Sequence, residues 1–401
     1  MTLRHHLPTE SFQAWQTPFY YYDMELLRTT LREIQRACAN TENMHVHYAV
    51  KANANPKLLA AIAAAGLGAD CVSGGEIRAA IDAGFPAGKI VFAGVGKSDW
   101  EIRTALEHDI FCFNVESLPE LDNISHLAAE MGHKARVALR INPNVDAHTH
   151  KKITTGMAEN KFGIAMEDMI PAIRHAAELP CVDCIGLHFH IGSQILNLDC
   201  FPALAERINE LQDALDAADI HLTHINVGGG LGIDYEAPLE NPVPSFAEYF
   251  DSFLRHLKLR PGQQLHFEPG RSVVGQCGHL ISRVLYVKQG ATKQFLILDA
   301  GFTDLIRPAM YGARHAITNL TASAGEGETD TDRRVTYDVV GPICESSDVF
   351  ATDIPLPLSQ RGDLIALHSA GAYGEVMAST YNCRALPQVH TSDELSCRMY
   401  K

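Results

Sequence analysis

"HVHYAVKANANPKLLAAIAAAG", residues 45–66, contains a strand, a turn and a helix in succession. Val46, Tyr48 and Val50 alternate with His45, His47, Ala49 and Lys51, and a period of two reads as a strand. Asn55 ahead of Pro56 is the pattern of a helix cap with proline at the first helical position, and Gly66 closes the apolar run. The unit leaves an ammonium group, Lys51, at the mouth of a strand-to-helix turn.

The same unit recurs along the chain. Strand-like runs follow at "GADCVS" (68–73), "KIVFAG" (89–94), "IFCFNV" (110–115), "RVALRI" (136–141), "CIGLHFHIG" (184–192), "HLTHINVGG" (221–229) and "QLHFEPG" (264–270). Helical patterns such as "GEIRAAIDAG" and "FPALAERINELQDALDAA" lie between them. Eight alternating units over about 250 residues fit a (β/α)8 TIM-type barrel, expected over residues 24–275. Beyond Arg271 the texture is β-rich, as in "GHLISRVLYVKQ", "QFLILDAG", "RVTYDVVGP" and "DLIALHSAGAYG". An all-β domain is expected there, built from residues 276–401 with 1–23, whose "TPFYYYD" reads as a strand joining it. Residues 321–334, polar and glycine-containing, read as a mobile loop.

Bulk properties narrow the function. A formal net charge of −15 argues against nucleic acid or an anionic membrane as partner. No apolar run is long enough for a membrane helix, and the N-terminus has no signal-like apolar core. The ten cysteines have no disulfide-scaffold spacing, so free thiols and a cytoplasmic location are expected. Cys181 and Cys184 form a CxxC with no second pair and read as structural thiols.

Barrel active sites gather at the C-terminal ends of the strands. There the sequence puts Lys51, Asp70, His188, His190, Ser193, Gly228, Gly229, Gly230, Glu268 and Arg271. Each alone has an ordinary explanation: a solvated lysine, a core histidine, a tight glycine turn, an ion pair between Glu268 and Arg271. Together they describe a site for a phosphorylated aromatic aldehyde. A lysine in a dry pocket forms a Schiff base. An imidazole stacks on a ring, and glycine N–H groups with Ser193 take a phosphate. A carboxylate beside a pyridine nitrogen makes the ring an electron sink. Pyridoxal 5'-phosphate on Lys51 is the expected cofactor. A metal-dependent hydrolase, the rival reading from the HxH pairs at His45/His47 and His188/His190, lacks an obvious carboxylate partner set; no metal is expected.

The chain resembles the alanine-racemase-like (fold type III) PLP-dependent decarboxylases, and among them the branch acting on meso-diaminopimelate. The motifs are "YAVKAN", "NPNVDAHTHKKITTGMAENKFGI", "GLHFHIGSQI", "NVGGGLGIDY", "FEPGR", "IRPAMYGARH", "GPICESSD" and "GAYGEVMASTYN". The resemblance implies catalytic roles for Lys51 and Cys344, the latter as proton donor. It implies cofactor binding by Lys51, Asp70, His190, Ser193, Gly228, Gly229, Gly230, Glu268, Gly270, Arg271 and Tyr373. It implies substrate binding by Arg271, Arg307, Tyr311, Glu345 and Tyr373. It also implies a homodimer with shared active sites, into which Cys344 and Glu345 of the other subunit enter. Two arginines and a tyrosine beside Glu345 suit a distal carboxylate together with a distal amine, so the expected reaction gives L-lysine and carbon dioxide, the last step of lysine biosynthesis. An ornithine or arginine decarboxylase is the alternative. An amino-acid racemase and a non-catalytic PLP-binding protein are more distant ones.

Overall fold

The computed structural model describes residues 7–39, 41–145, 161–322 and 334–399, the last four by backbone alone. Strand β1 (Phe19–Tyr22) precedes eight strands that alternate with helices: β2 (Met44–Ala49), β3 (Gly68–Cys71), β4 (Ile90–Phe92), β5 (Cys112–Val115), β6 (Ala135–Arg140), β7 (Val182–His188), β8 (His224–Asn226) and β9 (Gln264–Phe267). These eight pair in parallel and in order, and β9 closes on β2 with Met44 opposite Leu265. The remaining strands are β10 (Gly278–Gln289), β11 (Gln294–Leu298), β12 (Ile317–Asn319), β13 (Arg334–Val340), β14 (Val349–Pro357), β15 (Leu364–Leu367) and β16 (Gln388–Thr391). They form one mostly antiparallel sheet in the order β12-β15-β10-β11-β13-β14. β1 joins that sheet between β10, antiparallel, and β16, parallel.

The chain divides into two compact units. The barrel unit is Arg28–Gly232 with Pro244–Val273; the β-unit is Met1–Leu27, Ile233–Val243 and Val274–Lys401. Residues 233–243 lie inside the sequence range expected for the barrel, yet they cluster with the β-unit.

Local chemistry accounts for the barrel's turns. The Asn55 side chain accepts from the N–H of Lys57, and Pro56 opens the helix Pro56–Ala64. The strand before it is shorter than its alternation implies: β2 stops at Ala49, and Lys51 sits in a 3-10 turn, Val50–Ala52. The Tyr48 hydroxyl donates to the carbonyl of Asn53 at 2.8 Å and braces that turn. Cys181 lies just before β7 and Cys184 lies inside it, where burial pushes the Cys184 thiol up to about 12; an unreactive thiol results.

The helix Phe246–Leu254 carries its aromatics at i, i+3, i+4 and i+7: Phe246, Tyr249, Phe250 and Phe253, all buried. Three of them pack on Phe267 of β9, with Phe250 closest at 4.7 Å between ring centroids. At the N-terminal end of the barrel His47, His224, His266 and Phe111 pack ring against ring, with His47 Nε2 and His266 Nδ1 2.9 Å apart. In the β-unit, Phe12, Phe19, Tyr21, Ile281, Leu364 and Ala366 form a core on which Trp15, Leu320 and Leu395 close. No helix among the described residues is long and apolar enough to cross a membrane. The expected mobile loop falls mostly at 323–333, outside the described residues, as does most of the "NPNVDAHTHKK" motif.

Candidate active site

Glu268 follows β9 and is buried. Its Oε1 accepts from Asn114 Nδ2 at 3.0 Å and Asn226 Nδ2 at 2.6 Å, and its Oε2 from His188 Nε2 at 2.9 Å. Burial alone would raise this carboxyl. His188, by charge and hydrogen bond, and Asn226 outweigh burial and hold it well below the usual carboxylate range. Of the HxH pair His188/His190, His188 points its Nε2 at Glu268, a contact that sequence reading did not anticipate. Among the described residues no cluster of three or more His, Cys, Asp or Glu side chains is arranged to hold a metal ion.

Lys51 Nζ lies 3.8 Å from Oδ2 of Asp70 in β3. The lysine side chain is 41% exposed, not enclosed in the dry pocket expected for it, whereas the Asp70 side chain is 2% exposed. Burial first, then the charge of Glu268, push Asp70 well above the usual range. Two buried carboxyls near one ammonium are thus pushed apart: Glu268 is held below the usual carboxylate range and Asp70 above it. Asp70 Oδ1 and His188 Nδ1 are buried with no hydrogen-bond partner among the described residues.

His190 lies just past β7. Its Nδ1 accepts the N–H of Gly229 at 3.3 Å, and burial, then Arg140 and Lys51, drive its pKa well below the ordinary value. The ring is neutral, with its proton on Nε2. The glycine turn after β8 is tightly enclosed. A Cβ on Gly229 would lie 2.2 Å from the Glu268 carbonyl oxygen, and one on Gly230, at φ +120°, would lie 2.9 Å from Ile195 Cδ1. The Tyr249 hydroxyl reaches the carbonyls of Gly228 and Gly229 at 3.3 Å, so the aromatic helix braces this turn. Gly270 lets the chain pass the Lys51 turn; a Cβ there would meet Ala49 Cβ at 2.9 Å. Arg271, buried, donates to Ser193 Oγ from Nη2 at 3.1 Å.

The barrel unit therefore brings together Lys51, Asp70 and Glu268, then His190 with the glycine turn, then Ser193 with Arg271. Sequence reasoning passed over Asn114 and Asn226, which fix Glu268. It also passed over the buried pairs Arg140–Glu116 at 2.7 Å and Lys97–Glu120 at 2.6 Å. The signal for Arg140 and Glu116 was a charged side chain at or just past the end of a strand; Lys97 and Glu120 lie away from the strand ends and gave none.

The other expected residues lie in the β-unit. Arg307 opens and Tyr311 closes the helix Arg307–Tyr311, four residues apart and so on one face. Arg307 is buried, and its Nη1 donates to His315 Nε2 at 2.9 Å. Cys344 and Glu345 are exposed on a loop held from beneath by Asp348, which accepts from the N–H groups of Phe302 and Ile343 at 2.6 and 2.7 Å. Glu345 accepts from the Tyr381 hydroxyl at 3.1 Å. Tyr373 adopts φ +56°, a left-handed conformation that costs a side-chain-bearing residue about 1–3 kcal/mol.

A cradle that a Cβ would fill, an ionised buried carboxylate, a neutral imidazole and a lysine at one barrel end fit pyridoxal phosphate. Residues 27–275 match the family described as pyridoxal-dependent decarboxylase, pyridoxal binding domain, and the chain belongs to that family, the fold type III carboxy-lyases that use pyridoxal phosphate. Within it the chain falls among the diaminopimelate decarboxylases. It is 62% identical to the diaminopimelate decarboxylase of Bacteroides thetaiotaomicron over 97% of this chain and 98% of that one. The crystal structure of the Helicobacter pylori diaminopimelate decarboxylase complexed with L-lysine superposes with a TM-score of 0.89 at 40% identity, covering 96% of this chain and 94% of that one. The M. jannaschii enzyme in co-complex with L-lysine gives 0.87 at 35%, covering 96% and 89%.

Proposed function

We propose that this chain removes carbon dioxide from meso-diaminopimelate and releases L-lysine, as the last step of lysine biosynthesis in the cytoplasm. One C–C bond breaks, carbon dioxide leaves, and a C–H bond forms in its place. The observation that carries the reading is the Glu268 carboxylate, buried, ionised and fixed by three donors beside the Lys51–Asp70 pair.

Pyridoxal phosphate, when bound, supplies the electron sink that draws charge from the breaking bond. Lys51 is the residue that carries it. Glu268 would favour a proton on the ring nitrogen, because an ionised carboxylate favours the charged form of its neighbour. His190, with its neutral imidazole, would pack against the cofactor ring. Ser193 Oγ and the Gly230 N–H would be the donors to the phosphate, with Gly228 and Gly229, whose N–H groups go to Asn226 and His190, shaping the turn; Asp70, Gly270 and Tyr373 are assigned to the cofactor as well. Arg271, Arg307, Tyr311, Glu345 and Tyr373 hold the substrate; the guanidinium forks match its carboxylates and Glu345 its distal amine. Cys344 delivers the proton from Sγ. Its exposure, with that of Glu345, suits a homodimer in which each subunit's loop enters the site of the other.

The test is carbon dioxide release from meso-diaminopimelate, L-ornithine, L-arginine and L-lysine, each with added pyridoxal phosphate. Release from meso-diaminopimelate alone, with lysine as product, is expected. Release from ornithine or arginine instead would overturn the roles given to Arg307 and Tyr311.

A further inference from the structure

Arg307 is 6% exposed, and a buried guanidinium needs its orientation fixed. Two groups of the β-unit grip it. His315 takes its Nη1 at 2.9 Å, and the ring of Tyr235 lies 4.7 Å from its Cζ. The tautomer of His315 follows from its partners. Nδ1 lies 2.8 Å from the carbonyl oxygen of His368, which only accepts, so Nδ1 carries the proton. Nε2 then offers a lone pair to Arg307, which only donates.

The chain is folded to make this meeting. Gly312, at φ +62°, ends the short helix and turns the backbone, so His315 comes back to the residue that opens the helix. The Tyr235 ring stands edge-on to His315, with centroids 5.1 Å apart and planes at 80°. The Tyr235 carbonyl accepts the N–H of Ala316 at 3.1 Å, which pins the segment 233–243 to the strand that follows. Behind His315, the His368 ring is fixed by Thr318 Oγ1 at 2.8 Å and His279 Nδ1 at 3.1 Å.

We propose that His315 and Tyr235 are positioning residues that aim the fork of Arg307 at the far carboxylate of the substrate, and thereby set the preference for ligands that keep this carboxylate. The inference rests on the role given to Arg307 above. The hydrogen bond holds the guanidinium at Nη1 and the ring packs against Cζ, so the two contacts constrain its direction in different ways. A fork that swings still carries its charge but loses the bidentate match.

The test uses the holoenzyme and two competitive ligands of equal chain length. L-Lysine keeps the carboxylate; 1,5-diaminopentane lacks it. In His315→Leu the KM for meso-diaminopimelate and the inhibition constant for L-lysine are expected to rise together, by about 10–100-fold, the range for losing a hydrogen bond to a charged group. The constant for 1,5-diaminopentane and kcat are expected to move by less than about threefold. His315→Gln, which keeps an acceptor for Arg307 and a donor for His368, is expected to recover most of the loss. Tyr235→Leu is expected to shift the same two constants by about 3–10-fold, and it carries the test if His315→Leu does not fold. Equal weakening of both ligands in these variants, or wild-type constants for L-lysine in Tyr235→Leu, would overturn the proposal. If the unaltered enzyme releases nothing from meso-diaminopimelate, the proposed function itself fails, before any variant is compared.

Discussion

Asn226 donates to Glu268 at 2.6 Å and accepts the N–H of Gly228 at 2.9 Å, so one amide joins the carboxylate to the glycine turn. Asn226→Leu breaks both bonds and leaves Glu268 a donor short. Affinity for pyridoxal phosphate is expected to fall by about 10–100-fold, since hydrogen bonds to charged groups contribute about 1.5–3 kcal/mol. Titration of the cofactor followed by absorbance checks this; wild-type affinity would remove the amide's role.

Lys51→Ala is expected to abolish the borohydride-trapped adduct between chain and cofactor, read by peptide mass mapping. An adduct on another lysine would displace Lys51 from the centre of the site. Cys344→Ala is expected to bind cofactor normally and to turn over about 100-fold slower or worse, as loss of a general acid implies. Unchanged turnover would assign the proton to another group.

Asp70 and Glu268 respond to pH in opposite senses. The native pKa of Asp70 is raised above its unfolded value of 3.8, so the native state binds the proton more tightly. Asp70 therefore subtracts stability increasingly as pH climbs from 3.8 through its native value. Asp70→Asn removes that dependence, so its stability relative to the unaltered chain is expected to improve between pH 4.5 and 7.5. Denaturant midpoints at the two pH values measure the difference; a relative loss at pH 7.5 would show that native Asp70 is charged.

The histidines at the base of the barrel make the complementary prediction. Burial lowers the pKa of His47 from 6.5 to about 4, and that of His266 still further. Their contribution is fully present above pH 6.5 and is lost as pH falls from there through about 4, because the unfolded chain takes up protons that the folded one refuses. Melting scans from pH 7.5 to 4.5 are expected to show a steep fall in Tm. His47→Gln is expected to make that fall shallower, and a parallel curve would remove His47 as its source.

The barrel was legible because each βα unit carries a local signature: alternation, a cap, a closing glycine. The strand β1 was legible for the same reason, since "FYYY" reads as a strand wherever it pairs. Strand ends were less so. Alternation carries through Lys51, but the chain tightens into a 3-10 turn at Val50, a choice set by the Tyr48–Asn53 hydrogen bond and not by pattern. Lys51 and Glu268 could be picked out as charged residues at strand ends. Asn114 and Asn226 could not, because an amide in an apolar strand has no meaning until its partner is known. The membership of residues 233–243 in the β-unit was equally hidden, since it rests on tertiary contacts such as the Tyr235 carbonyl to Ala316.

The place of β1 has a bearing on how the chain is assembled. A ribosome makes this strand first, yet both of its neighbours arrive late: β10 after the whole barrel sequence, β16 only near the end. During synthesis the barrel sequence emerges while four consecutive aromatic residues of the leading segment wait with bare edges. Nascent chains released before residue 388 are expected to be cut by protease near residues 19–22 far more readily than full-length ones, and equal resistance would mean that β10 alone is enough to shelter the segment.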